Sequence, residues 1–136
     1  MDVRKSESLK FSDSVMELTP KHFSEEKSWA LLPGKVPKLV YFYVPWCKFC
    51  QKSAPTINAL GNWVKRNNIP ILICSFNCEL YKERTGAIKE DVPAMIDAYP
   101  SIVTFLSNGN PSEKYPREIK RELETLKVMC ERIISE

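Results

Sequence analysis

The chain has 136 residues, of which 43% are hydrophobic and 27% are charged, a composition typical of one globular domain. Its 20 basic and 17 acidic residues are interleaved along the sequence, so the net charge of +3 indicates neither a nucleic-acid partner nor an anionic membrane partner. The longest apolar runs fall far short of the ~20 residues that a membrane-spanning helix needs. The single histidine, His22, excludes most histidine-dependent catalysis and metal binding.

The two ends of the sequence carry no signal that we can assign to a compartment. The first residues, MDVRKSESLKFSDSVMELTP, contain charges throughout and no apolar stretch typical of a signal peptide. The last residues, ERIISE, match no retention or lipidation signal, and five cysteines do not suit a secreted disulfide scaffold. We therefore predict a cytoplasmic or virion location, with the lumen of the endoplasmic reticulum as the alternative if a leader is missing.

Residues 1–13 are polar and aperiodic, and we expect a flexible lead-in before one domain over residues 14–136. Within the domain, short apolar runs alternate with segments of helical periodicity. The predicted strands are Val15–Leu18, Lys38–Val44, Ile69–Cys74, Ile102–Leu106 and about Glu113–Tyr115. The predicted helices lie between them at about 21–31, from Cys47 to about Asn67 and over 79–90, and a last helix follows the final strand. Thr19 is expected to cap the first helix and Pro20 to open it, and Pro55 is expected to kink the second.

Two patterns in this order indicate the fold class. Strands that alternate with helices pair in parallel, and Asn108-Gly109 between the last two strands is a hairpin signal that adds an antiparallel edge. The last helix is amphipathic, with its buried stripe predicted at Ile119, Leu123, Leu126, Cys130 and Ile133. The sequence therefore predicts an α/β protein with a mixed central sheet.

The segment Cys47-Lys48-Phe49-Cys50 is the feature that carries chemistry, because it follows a predicted buried strand directly and opens a helix. At a helix start the backbone N–H groups are unpaired and the dipole is positive, so a thiolate on the first cysteine is stabilised. A thiolate is the form that attacks a disulfide. Two intervening residues let the second sulfur reach the first within one helical turn and expel a bound partner.

The stretch Val40–Cys50 followed by Pro55 resembles the active-site segment of the thioredoxin superfamily, nearest to the protein disulfide isomerase branch. Tyr99-Pro100-Ser101-Ile102 resembles the second signature of that family, in which the proline is cis and lies beside the cysteine pair. The hairpin after it and the opening strand also match, so that the resemblance covers about residues 14–135.

The resemblance implies a thioredoxin-like fold, with helices on both faces of the sheet, and a thiol–disulfide oxidoreductase. Cys47 would be the attacking thiol and Cys50 the resolving thiol, with Trp46, Tyr99 and Pro100 binding the substrate. The implied partners are protein disulfides or dithiols and a regenerating reductase or oxidase. We expect a monomer that needs no organic cofactor and no metal, since the electrons reside in the two sulfurs.

Three departures from the family pattern bear on this reading. Lys48 and Phe49 stand between the cysteines and are expected to tune the first thiol, since the positive charge of Lys48 favours a thiolate and a more oxidising couple than that of thioredoxin. Tyr41 occupies the position where the family usually buries a carboxylate that takes the proton of the resolving thiol. The third departure is a stretch of about six extra residues between Cys78 and the cis-proline signature, and the arginine that tunes the resolving thiol in isomerases corresponds only loosely to Arg117.

Two alternatives remain open from the residues alone. Cys47 and Cys50 could form a zinc site with Cys74 and Cys78, although zinc pairs usually lie on turns rather than between a strand and a long helix. Tyr41 keeps a second alternative open, a weakly active or inactive thioredoxin-like adaptor that binds proteins. We expect Cys74, Cys78 and Cys130 to be small buried apolar residues, with Cys78 the most reactive of them.

Overall fold

A mixed sheet of five strands forms the centre of the protein in a computed structural model that describes residues 9–136. The strands are β1 (Val15–Glu17), β2 (Lys38–Tyr43), β3 (Leu72–Asn77), β4 (Ser101–Phe105) and β5 (Pro111–Lys114). The helices of this part of the chain are α1 (Lys48–Arg66), α2 (Lys82–Asp91) and α3 (Leu123–Ile134), and a short 3-10 helix spans Pro20–His22. No helix within residues 9–136 combines the length and the apolar character needed to cross a membrane.

Strand β2 lies in the middle of the sheet, whose order is β1-β3-β2-β4-β5. It pairs in parallel with β3, with Tyr41 opposite Ser75, and antiparallel with β4, with Tyr41 opposite Ile102. Strand β1 extends the sheet in parallel beside β3, and β5 closes the other edge antiparallel to β4. Parallel pairing across a helix followed by an antiparallel hairpin confirms the predicted mixed α/β architecture.

The two faces of the sheet bury different side chains of β2, because successive residues of a strand point to opposite sides. Leu39, Tyr41 and Tyr43 pack with buried residues of α1 and α3, whereas Val40 and Phe42 pack with Ile88 of α2. Each fully buried side chain of this size contributes roughly 1.5–3 kcal/mol relative to exposure. Helices therefore cover both faces, as the family resemblance implied.

The helix predicted at about 21–31 is wrong. Thr19 caps only the 3-10 turn, where its hydroxyl accepts a hydrogen bond from the Lys21 amide at 3.3 Å and its own amide donates to His22 Nδ1 at 2.9 Å. The chain then folds back, so that Phe23 pairs with Leu31 in an isolated antiparallel bridge. Both side chains are buried on the α2 face of the sheet, and this tertiary contact overrides the local helical pattern.

Several element boundaries differ from the predicted ones by up to three residues. Strand β3 begins at Leu72 rather than Ile69, because its first residue lies opposite Lys38, where β2 itself begins. The buried stripe of α3 comprises Leu126, Met129, Cys130 and Ile133. Ile119 lies before the helix and is 45% exposed, so its assignment to the stripe is wrong.

The predicted flexible lead-in lies outside the described residues as far as residue 8. From residue 9 onward the chain contacts the domain: the Phe11 ring lies edge-on to Tyr41 and Tyr43, with ring centres 6.0 and 5.6 Å apart. The Ser12 amide donates a hydrogen bond to Asn58 Oδ1 at 2.8 Å. Residues 9–13 thus cover the sheet face that carries Tyr41.

Candidate active site

Cys47 stands at the junction between the central strand and the longest helix. It is the N-cap residue of α1, with extended backbone angles (φ −82°, ψ 123°), and its amide donates to the Val44 carbonyl at 3.2 Å. Its side chain is half-buried and lies at the helix end where backbone N–H groups lack intrahelical partners. The predicted helix start at the first cysteine is confirmed.

Cys50 lies one turn further along α1 and is fully buried. Burial raises the pKa of its thiol to about 12, and the neighbouring Cys47 thiol acts in the same direction. All five cysteines belong to the described residues and are free thiols. The pair therefore consists of one thiol that solvent reaches and one that it does not.

The segment around Pro100 is distant from the cysteine pair in sequence but lies next to it in the folded protein. The Tyr99–Pro100 peptide bond is cis, and the Cys47 thiol donates to the Tyr99 carbonyl oxygen at 3.5 Å. Burial and, to a lesser degree, the Cys78 thiol raise the pKa of the Tyr99 hydroxyl, and Lys89 Nζ lies 4.9 Å from the centre of the Tyr99 ring. Three of the residues singled out in the sequence, Cys47, Tyr99 and Pro100, thus lie together.

The rim around Cys47 is aromatic and basic. Trp46 is 52% exposed and Phe49 is 64% exposed, which is unusual for such large apolar side chains. Lys48 is also exposed and is the first residue of α1. Three of the residues predicted to bind substrate or to tune the thiol, Trp46, Lys48 and Phe49, are therefore exposed and flank Cys47 in the chain.

Tyr41 lies beneath the second cysteine, on β2, and is fully buried. Its hydroxyl donates to the Cys50 carbonyl oxygen at 2.8 Å and lies 2.6 Å from the hydroxyl of Ser53. Burial raises the pKa of Tyr41, so the hydroxyl keeps its proton at physiological pH. Two neutral hydroxyls thus occupy the region where the family resemblance implies a carboxylate.

An arginine acts on this region, but it is not the one suggested by the sequence. The positive charge of Arg121 lowers the pKa of Tyr41 against the larger effect of burial, whereas Arg117 acts on Asp97. Arg121 lies just before α3. The sequence analysis identified neither Arg121 nor Ser53 as part of this region. Only Ser53 had a signal in the sequence, its position one helical turn after Phe49.

The remaining cysteines are buried, as predicted. Burial raises the pKa values of Cys74, Cys78 and Cys130 to about 12, 11 and 12. Cys78 belongs to the cluster on the α2 face but touches the site through Tyr99. In the described part of the chain, no three His, Cys, Asp or Glu side chains come together as a metal site would need.

A half-exposed cysteine at a helix start, a buried cysteine one turn later and a neighbouring cis-proline segment define a dithiol site of the thioredoxin kind. The Thioredoxin family model matches residues 14–130, and the chain belongs to this family. Among curated proteins it is similar to protein disulfide isomerase-like 1-2 of Oryza sativa subsp. japonica, with 29% identity over 118 residues, 85% of this chain and 21% of that protein. It is also similar to protein disulfide-isomerase MPD1 of Saccharomyces cerevisiae, with 31% identity over 91 residues, 67% of this chain and 25% of that protein.

A solved structure agrees with these relatives. The Trx4 domain of ERdj5 superposes with a TM-score of 0.65 and 25% identity, covering 89% of this chain and 96% of that one. The chain thus matches a single thioredoxin domain almost from end to end, while it spans only 21% and 25% of the two curated relatives.

The predicted cytoplasmic or virion location is wrong in the light of these relatives. They are named as protein disulfide isomerases and as a domain of ERdj5, and they point to the lumen of the endoplasmic reticulum. The prediction rested on the composition of the terminal residues, which does not report the compartment in which such a domain works.

Proposed function

We propose that the protein is a thiol–disulfide oxidoreductase that exchanges disulfides with protein substrates through Cys47 and Cys50. The observation that carries the proposal is the pairing of a half-exposed thiol at the start of α1 with a fully buried thiol one helical turn further along the helix. The two sulfurs of such a pair have different roles, because only the exposed sulfur can contact a large substrate. The kinship with protein disulfide isomerases supports the same chemistry.

In the reducing direction, the Cys47 thiolate attacks one sulfur of the substrate disulfide and the other substrate sulfur leaves as a thiolate that takes up a proton. A mixed disulfide now joins Cys47 to the substrate. Cys50 loses its proton and attacks the Cys47 sulfur, which releases the second substrate thiol. The substrate gains two electrons and two protons, and the Cys47–Cys50 disulfide holds the oxidising equivalent; reversal of the steps donates a disulfide.

The surroundings of Cys47 suit an extended polypeptide. Pro100 has no N–H, and the neighbouring Tyr99 carbonyl faces the Cys47 thiol at 3.5 Å, so a substrate strand would pair with the Tyr99 backbone while its cysteine meets Cys47. Trp46 supplies an apolar contact beside it. Lys48 and Phe49, next in the chain, are exposed and complete this rim.

Substitution of each cysteine tests the proposal. Cys47→Ser abolishes reduction of a protein disulfide, whereas Cys50→Ser forms the mixed disulfide with substrate but does not release it. Cys130→Ala, a thiol on the buried face of α3, retains the wild-type rate. Equal rates for wild type and Cys47→Ser contradict the proposal.

Tyr41 favours a second candidate, a protein-binding adaptor with little turnover. Neither Tyr41 nor Ser53 is a carboxylate, so neither of these two hydroxyls is suited to take the proton of Cys50. An adaptor would still form a mixed disulfide but release it slowly. The release rate of a preformed mixed disulfide therefore separates the two candidates.

A further inference from the structure

A cleft beside the dithiol has a composition that the exchange chemistry does not require. It has a volume of about 290 Å³ and is lined by Phe49, Lys52, Ser53, Thr56, Lys120 and Arg121. Phe49 belongs both to this cleft and to the rim of Cys47. The cleft thus lies where the chain on one side of a bound substrate cysteine would pass.

The cleft contains three cationic side chains and no acidic one. Lys120 is weakly paired, since its Nζ lies 3.8 Å from Glu122 Oε1 and both side chains are exposed. Within residues 9–136, Lys52 and Arg121 form no ion pair. Two uncompensated positive charges therefore face the space beside Phe49.

The basic residues at the start of α1 cannot be explained by helix stability. The first turn contains Lys48 and no acidic residue, although the positive end of the helix dipole favours acids there. Lys48 and Lys52 are also four residues apart, a spacing at which like charges destabilise a helix. Charges that cost stability in the fold are expected to serve binding instead.

We propose that this cleft binds an aspartate or glutamate side chain next to the target cysteine, so that the protein prefers disulfides in acidic polypeptide segments. The proposal rests on the proposed function and specifies its substrate class. The guanidinium of Arg121 suits a carboxylate because its planar N–H groups can bind both oxygens. Lys52 adds charge, and the exposed ring of Phe49 covers the apolar stem of the acidic residue.

Binding of cysteine-free peptides tests the cleft independently of turnover. Three peptides that differ only in carrying Glu, Gln or Lys at the same positions are titrated against the wild type by fluorescence anisotropy. At low salt the Glu peptide binds roughly tenfold more tightly than the Gln peptide, the Lys peptide binds most weakly, and the difference shrinks as ionic strength rises.

A double substitution locates the interaction. Lys52→Gln with Arg121→Gln reduces the Glu-to-Gln ratio to about one. Lys65→Gln with Arg66→Gln, the same change of charge at the exposed far end of α1, preserves the ratio. Equal binding of the Glu and Gln peptides by the wild type overturns the proposal, as does a ratio that the Lys52/Arg121 variant preserves.

Reduction of disulfide-linked forms of the same peptides separates this inference from the proposed function. The Glu form is reduced with the highest kcat/KM. Preferential binding of the Glu peptide without reduction of any peptide supports the cleft and contradicts the oxidoreductase. Equal binding and equal reduction of all three peptides overturns the cleft and leaves the oxidoreductase intact. If micromolar oxidised glutathione displaces the Glu peptide, the cleft binds this small disulfide, and the assignment of a polypeptide as its ligand is wrong.

Discussion

The hydroxyl of Tyr41 donates a hydrogen bond to the carbonyl oxygen of Cys50 at 2.8 Å, in the interior of the protein. The same hydroxyl lies 2.6 Å from Ser53 Oγ, and Ser53 donates to the Phe49 carbonyl at 2.8 Å. The buried side of the dithiol turn is thus held by neutral hydroxyls. These contacts position the turn but provide no strong base for the Cys50 proton.

We therefore expect Tyr41→Glu to accelerate release of the mixed disulfide by roughly tenfold or more near neutral pH, because a positioned base contributes about 10²–10⁴-fold to proton transfer. Stopped-flow measurement of substrate release from a preformed mixed disulfide reports this rate. Tyr41→Phe is the matched control, since it keeps the ring and supplies no base. A release rate for Tyr41→Glu equal to that of Tyr41→Phe contradicts a limiting proton transfer from Cys50.

The release step of the wild type has a predictable pH dependence. Burial raises the pKa of Cys50 to about 12, so only a small fraction is thiolate at neutral pH and that fraction rises tenfold with each pH unit. Single-turnover release from the preformed mixed disulfide, which excludes the attack by Cys47, should therefore accelerate about tenfold per unit from about pH 7 to about pH 9. A flat profile over that range would show that Cys50 is not the ionising group.

The buried thiols make the reduced protein sensitive to alkali. The pKa of Cys130 is raised from 9.0 to about 12, so folded and unfolded chains both keep the proton below the unfolded value. Above it the unfolded chain ionises first, and stability is lost as the pH rises from about 9 toward 12. Each such thiol contributes a loss of about 1.4 kcal/mol per pH unit in this window.

Denaturant unfolding of the reduced protein at several pH values measures this slope. Cys130→Ala should make the alkaline slope shallower by the contribution of one thiol, although it lowers stability near neutral pH. Val128→Ala changes an exposed side chain of the same helix and should leave the slope unchanged. Identical slopes for Cys130→Ala and the wild type would show that Cys130 ionises alike in both states.

The hairpin between β4 and β5 depends on a glycine. Gly109 has φ +96°, its amide donates to the Leu106 carbonyl, and a Cβ added there would collide with the Leu31 carbonyl oxygen. Gly109→Ala should therefore lower the free energy of unfolding by more than about 2 kcal/mol. Gly86→Ala is the control: it lies in α2 with no atom within 4 Å of an added Cβ and should stabilise by about 0.5–1 kcal/mol. Thermal or denaturant unfolding measures both changes, and a neutral Gly109→Ala would contradict the close approach.

Some elements were predictable because their signals are local. Strand β2 is a continuous apolar run, and the helical period begins directly after it, so the position of Cys47 at a helix start followed from neighbouring residues alone. The helix prediction for residues 21–31 was wrong because the conformation of this segment is not determined locally. Its conformation depends on Leu31, whose amide donates to the Gly109 carbonyl at 2.9 Å, a contact between residues far apart in the chain.

The same distinction divides the site. The motif alone pointed to two cysteines with unequal roles, and the cis-proline signature suggested a neighbour for them. The carbonyl of Tyr99 next to Cys47 and the charge of Arg121 acting on Tyr41 come from segments separated by dozens of residues. Hydrophobic periodicity along the sequence does not predict the distances between these side chains, because the order of the strands in the sheet determines them.

By itself, the amino-acid sequence determined that a dithiol stands where a buried strand passes into a helix, and that the chain forms an α/β domain. The tertiary structure decided which environment each thiol has: Cys47 reaches solvent beside Tyr99, whereas Cys50 is enclosed above Tyr41 and Ser53. It also decided which basic residues gather beside Phe49. The reason is that hydrophobic periodicity is read from adjacent residues, while burial and charge clustering arise only when distant segments pack together.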